Sequence, residues 1–128
     1  MGQQQLLLII LGVIIVGIAI AVGLSMFSAQ SVQANKDALI ADLNNIAANA
    51  YQYRIRPASL GGGDQAYTGY TIPSKLASNE NGTYTTTAVA AQSVNITATA
   101  ASNSANTVTA VIDSTGRLTT LAYTGEFK

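Results

Sequence analysis

From Leu6 to Leu24 the chain reads LLLIILGVIIVGIAIAVGL, and no charged side chain appears before Lys36. As a helix, about 20 apolar residues rise about 30 Å, the thickness of a bilayer's hydrocarbon core. The run is apolar on every side, so one small domain has no interior in which to hide it. The segment therefore requires a membrane or a bundle of other apolar helices. At 128 residues the chain has room for a single globular domain besides.

Three ordinary readings of such a segment compete. A cleaved secretory signal expects a basic flank, a shorter apolar stretch and a small-residue cleavage site, none of which this sequence shows. N-myristoylation follows Met1-Gly2 only when position 6 is Ser or Thr, and Leu6 stands there. A single-pass anchor normally takes its orientation from flanking Lys and Arg. Here the flank is Gly2, Gln3, Gln4 and Gln5. Either the helix inserts without that signal, or a basic leader preceded Met1 and was removed.

Nothing forces a break before Pro57, so the spacing predicts a helix of roughly 50 residues, about 75 Å long. Gly12, Gly17 and Gly23 weaken it by about 1 kcal/mol each relative to Ala. They serve either close helix–helix approach or local melting under load. Beyond Ser31, Val32, Leu39, Ile40, Leu43, Ile46, Ala47 and Ala50 recur at three- and four-residue spacing, with Lys36 among them. That is one buried face, with Asp37, Asp42, Asn45 and Asn49 mostly off it. The helix should end at Arg56, before Pro57. Arg54 and Arg56 complement its C-terminal partial charge or pair with another subunit.

The rest reads as a small β head. PASLGGG (57–63) is a loop, and Thr68–Ile72 carries short-strand character. Four further strands are expected at Thr83–Ala90, Ser93–Thr99, Thr107–Asp113 and Arg117–Thr124, with turns at Asn79–Gly82 and Asp113–Gly116. Short connections predict an antiparallel meander with one face on the helix. Its other face is expected to be rich in Thr: 83, 85, 86, 87, 97, 99, 107 and 109. The fold class is thus α+β. Residues 1–27 form a membrane or filament-core helix and 28–56 its amphipathic continuation. Residues 57–128 form the sheet head, and the whole is expected to be lollipop-shaped.

Chemistry is sparse. Charged residues make up 9% of the chain, net charge is zero, and there is no His, Cys or Trp. No basic face exists for nucleic acid. Neither a nucleophile–base pair, a carboxylate pair nor an oxygen-rich calcium loop is visible, so no enzyme, metal or cofactor is expected. Asp64 beside Gly61–Gly63 lacks the Lys-Ser/Thr ending of a phosphate loop. The six Tyr residues are expected to pack at the helix–sheet junction and between heads. Asn81-Gly82-Thr83 and Asn95-Ile96-Thr97 match the N-glycosylation pattern, and the Thr-rich face could carry O-linked sugars.

The apolar start running directly into an amphipathic helix, followed by a sheet, resembles the type IV pilins. Close similarity is confined to roughly residues 1–55. The resemblance implies a leader cleaved just before the helix and methylation of the new N-terminus, here Met1. It also implies insertion in the cytoplasmic membrane before assembly, and passage through pilus assembly machinery into an extracellular filament for adhesion or motility. The implied core residues are Met1, Gln5, Leu6, Leu7, Ile10, Gly12, Val13, Ile14, Gly17, Ile18, Ile20, Gly23 and Phe27, with other copies of the chain as the partner. A secretion-system pseudopilin and a membrane-anchored binding module are the alternatives. The family usually has Glu at mature position 5, thought to neutralise a neighbour's terminal ammonium. Gln5 can accept a hydrogen bond there but brings no charge.

Overall fold

The computed structural model describes residues 2–128. Helix α1 runs Gly2–Ile55, ending one residue short of the expectation, with Arg56 N–H still donating to the Gln52 carbonyl at 3.1 Å. The chain divides into two compact units, Met1–Gln33 and Ala34–Lys128, which are taken separately. The first, over its described residues, is helix alone. Every large apolar side chain from Leu6 to Phe27 is exposed.

The second unit holds the rest of α1, a one-turn helix α2 (Ser74–Ala77) and four strands. These are β1 (Gly82–Val89), β2 (Val94–Ala100), β3 (Thr107–Ile112) and β4 (Leu118–Tyr123), paired antiparallel in the order β1-β2-β3-β4. This is the meander expected from the alternation, each strand within a residue or so of its predicted ends. Its core joins Leu39, Leu43, Ile46, Ala47 and Ala50 of α1 to Tyr84, Val94, Ile96, Ala98, Val108, Ala110 and Ile112 of the sheet. The fit is tight at both edges of the sheet. A Cβ on Gly82 would lie 2.1 Å from the Thr99 carbonyl oxygen and 3.1 Å from Leu39, and one on Gly116 would lie 2.8 Å from Tyr51.

On the outer face the threonines stand in ranks. Thr83, Thr99 and Thr107 are cross-strand neighbours, as are Thr85, Thr97 and Thr109. Thr86 departs from the expected outward face. It follows Tyr84 by two residues and is half-buried, as the period of two requires. Both edge strands carry an irregularity, between Thr86 and Ala88 in β1 and opposite Thr109–Val111 in β4, where Thr120 has φ 50°. Such bulges twist an edge away from flat pairing.

The strand expected at Thr68–Ile72 does not form. Tyr67 N–H donates to Ala91 and Tyr70 N–H to the Tyr67 carbonyl, closing a turn in which Gly69 has φ 85°. Local β propensity yields here to burial, because Tyr67 and Tyr70 enter the core. After Pro73 the chain makes α2 instead, consistent with proline's preset φ at a helix start. A last 3-10 turn, Gly125–Phe127, buries Phe127, which the sequence pattern did not signal.

Candidate functional site

All the core residues named from the sequence, save one, lie on the first stretch of α1: Gln5, Leu6, Leu7, Ile10, Gly12, Val13, Ile14, Gly17, Ile18, Ile20, Gly23 and Phe27. Met1, the residue expected to carry methylation, lies outside the described residues. Exposure of the large apolar side chains runs from 51% at Leu11 to 72% at Phe27. This is the element among the described residues long and apolar enough to cross a membrane. A Cβ on Gly12, Gly17 or Gly23 would meet nothing within 4 Å. The chain by itself therefore gives no reason for three residues that each weaken a helix by about 1 kcal/mol.

In the head, polar side chains serve mainly to tie loops to α1. Asp42 was expected off the buried face. It is half-buried, and its Oδ2 accepts from Asn79 Nδ2 at 2.8 Å, Asn81 Nδ2 at 2.9 Å and the Tyr84 hydroxyl. Burial works to raise the Asp42 pKa, but the three donors together hold it below the ordinary carboxylate value. Burial, and then the Asp42 carboxylate, push the Tyr84 phenol well up. Asn79 Oδ1 in turn accepts from the Asn81 and Gly82 N–H groups, shaping the turn into β1. The spacing Asn79-x-Asn81 was a turn signal; that it serves a helix carboxylate was not legible.

The end of α1 is closed by backbone rather than by arginine. Gly63, Asp64 and Gln65 N–H groups donate to the carbonyls of Tyr53, Arg56 and Arg54 at 2.8, 3.0 and 2.6 Å. These bonds occupy carbonyls that a helix end otherwise leaves open. Arg54 turns aside, donating to Gln92 at 2.9 Å and Gln65 at 3.5 Å. Two of the three glycines are packing, while a Cβ on Gly61 would meet nothing within 4 Å and that residue instead takes a left-handed φ of 82°. A Cβ on Gly62 would lie 2.2 Å from the Arg56 oxygen and one on Gly63 1.8 Å from the Ala66 oxygen. The N–H groups of Gly63 and Asp64 are spent on the helix and not held out as a phosphate cradle.

The two glycosylation tripeptides differ in setting. Asn81 is half-buried, and its amide nitrogen is committed to Asp42. Asn95 is exposed on the outer face of β2. Lys36 has its ammonium 3.9 Å from the centre of the Tyr123 ring, which explains a cation on the packed side of α1. Of the tyrosines, Tyr67, Tyr70 and Tyr84 are buried. Tyr67 anchors the β3–β4 turn by donating to the Asp113 carbonyl at 2.5 Å, and burial, its largest influence, raises its pKa.

Comparison with protein-family models, curated proteins and solved structures finds no match.

Proposed function

We propose that the chain is the structural subunit of a helical surface filament of the type IV pilin kind. The apolar stretch of α1 is its polymerisation element. One observation carries the reading: the head closes its own core, while sixteen large apolar side chains from Leu6 to Phe27 stay exposed. Burying such a side chain fully is worth about 1.5–3 kcal/mol against water. The open glycines support the same reading, since small residues let apolar helices approach closely. The partners are then other copies of the chain, with the membrane as reservoir before assembly and a pilus assembly machinery to extract the subunit. The neutral, Thr-rich outer face of the sheet is the surface the head offers to solvent.

The competing reading is a membrane-anchored module that never polymerises, which accounts for the apolar surface and tolerates the glycines but gives them no helix to approach. Electron microscopy of material sheared from cells separates the two. The filament reading expects this chain in thin filaments in the sheared fraction. Finding it only in detergent-extracted membranes would contradict that reading.

A further inference from the structure

Within the head, beside the C-terminal end of α1, lies an open cleft of about 200 Å³. Its walls are Asn49 and Tyr53 of α1, Arg56 just beyond its end, and Gly69, Tyr70, Thr71 and Pro73 of the segment that follows. The Tyr53 and Tyr70 rings stand 5.4 Å apart, tilted at 57°. That is smaller than the roughly 300–1,000 Å³ of a drug-sized pocket. It suits one ring or one side chain.

The hydrogen bonds around it decide what chemistry it can take. The Tyr70 hydroxyl donates to Asn49 Oδ1 at 2.9 Å, and the Tyr53 hydroxyl donates to the Thr68 carbonyl at 2.9 Å. Burial pushes the Tyr70 phenol up to about 12, so it remains a donor at neutral pH. These two bonds engage both phenolic donors and one lone pair of the Asn49 oxygen. The groups left with free N–H donors are the Asn49 amide nitrogen and the Arg56 guanidinium, the latter being the one charged group on the wall; the Thr71 hydroxyl beside them can donate or accept. No acceptor among the described residues engages the Asn49 nitrogen or the Arg56 guanidinium, whereas neighbouring Arg54 is held by two glutamines. Arg56 is exposed at the mouth, and its planar fork matches a carboxylate's two oxygens. Asn49 adds a third donor, and the tyrosine rings give an apolar wall for the group behind the carboxylate.

We propose that this cleft binds a carboxylate borne on a single ring or a single side chain. Arg56 and Asn49 hold the carboxylate, and Tyr53 and Tyr70 seat the remainder. An acidic sugar and an acidic side chain share this chemistry. The assignment stands independently of filament formation, because every residue belongs to the head.

The test is an NMR titration of the full chain in detergent micelles with D-galacturonate and with N-acetylglutamate amide. Galactose and N-acetylglutamine amide serve as their neutral counterparts. At least one acid should bind about 10- to 100-fold more tightly than its counterpart, the range of a charge-assisted contact. Which acid does so names the source. Arg56→Gln should remove that preference. Asn49→Asp should too, since it keeps an acceptor for Tyr70 but sets a negative charge where a donor stood. Lys75→Gln, on the adjacent exposed turn of α2, should leave the preference intact. A dispersed, otherwise unchanged spectrum shows that each variant is folded. No preference for either acid, a preference that survives Arg56→Gln, or an equal loss in Lys75→Gln would overturn the assignment.

Discussion

Two stretches of α1 bury their apolar side chains differently and have opposite fates. Between Leu39 and Ala50 one stripe, Leu39, Leu43, Ile46, Ala47 and Ala50, is essentially inaccessible; between Leu6 and Phe27 apolar residues cover the whole surface and more than half of each large side chain is exposed. The difference is one of patterning as well as of apolar content: four large apolar residues interleaved with Asp42, Asn44, Asn45 and Asn49, against sixteen with no charged or amide residue between them. A stripe can be satisfied by one sheet face, and the head supplies one. A fully apolar cylinder must be enclosed, and nothing in the chain can do it. On the proposed reading the first stretch is covered by a partner, while the second is covered by the fold.

The largest effect expected from that contrast is all-or-none. Ile14→Lys sets a charge in the middle of the apolar cylinder, at a cost of about 2.5–3.5 kcal/mol in a membrane, repeated in every subunit. It should eliminate filaments in sheared material while the tyrosine fluorescence of the head stays native. All six tyrosines lie between residues 51 and 123, so that signal reports the head alone.

Next in size is a matched pair. Leu43→Ala, in the core, should lower the head's stability by about 2–5 kcal/mol in denaturant unfolding of the micelle-solubilised chain. Leu11→Ala, the same chemical change on the exposed cylinder, should move it by less than about 0.5 kcal/mol. Comparable losses would erase the distinction between the two stretches. Gly63→Ala probes how the second stretch is terminated. Its Cβ would intrude on the Ala66 carbonyl, and the head should lose about 1–3 kcal/mol.

The smallest effect is pH-dependent. Asp42 has its folded pKa depressed below the ordinary carboxylate value of 3.8. Its contribution is therefore full above about pH 4 and is lost as pH falls through the lower, folded value. Stability curves of wild type and Asp42→Asn should run apart at neutral pH and converge in acid. A gap that stays constant down through that range would contradict the role given to the carboxylate.

How far the fold could be read in advance follows the same division. The stripe at Leu39, Leu43 and Ile46 and the alternation of Val94-x-Ile96-x-Ala98 and Val108-x-Ala110-x-Ile112 are periodic signals, and both elements lie where the period put them. The stretch from Ala58 to Ala77 was legible only as punctuation. Its course depends on non-local bonds, from Gly63 back to Tyr53 and from Tyr67 across to Ala91, which no local pattern encodes. Of the candidate sites, the apolar cylinder was evident from composition alone. The cleft was not. Asn49 and Arg56 are unremarkable polar positions until Tyr70, 21 residues beyond Asn49, engages the amide oxygen and turns the amide N–H groups toward the same cleft as Arg56.

The absence of cysteine allows a direct test of the central claim that the exposed cylinder is covered by other copies of itself. Single cysteines are placed at Leu11, on the cylinder, and at Thr97, on the outer face of the sheet. Each variant is then treated in its native surface assembly with a flexible, long-spacer bis-maleimide and examined by denaturing electrophoresis. Neighbours in a helical array meet through different residues, so the spacer is needed to bridge the offset between like positions. The account predicts subunit-to-subunit cross-links for Leu11→Cys and monomers for Thr97→Cys. Monomers from Leu11→Cys, with the chain still embedded in membrane, would contradict it.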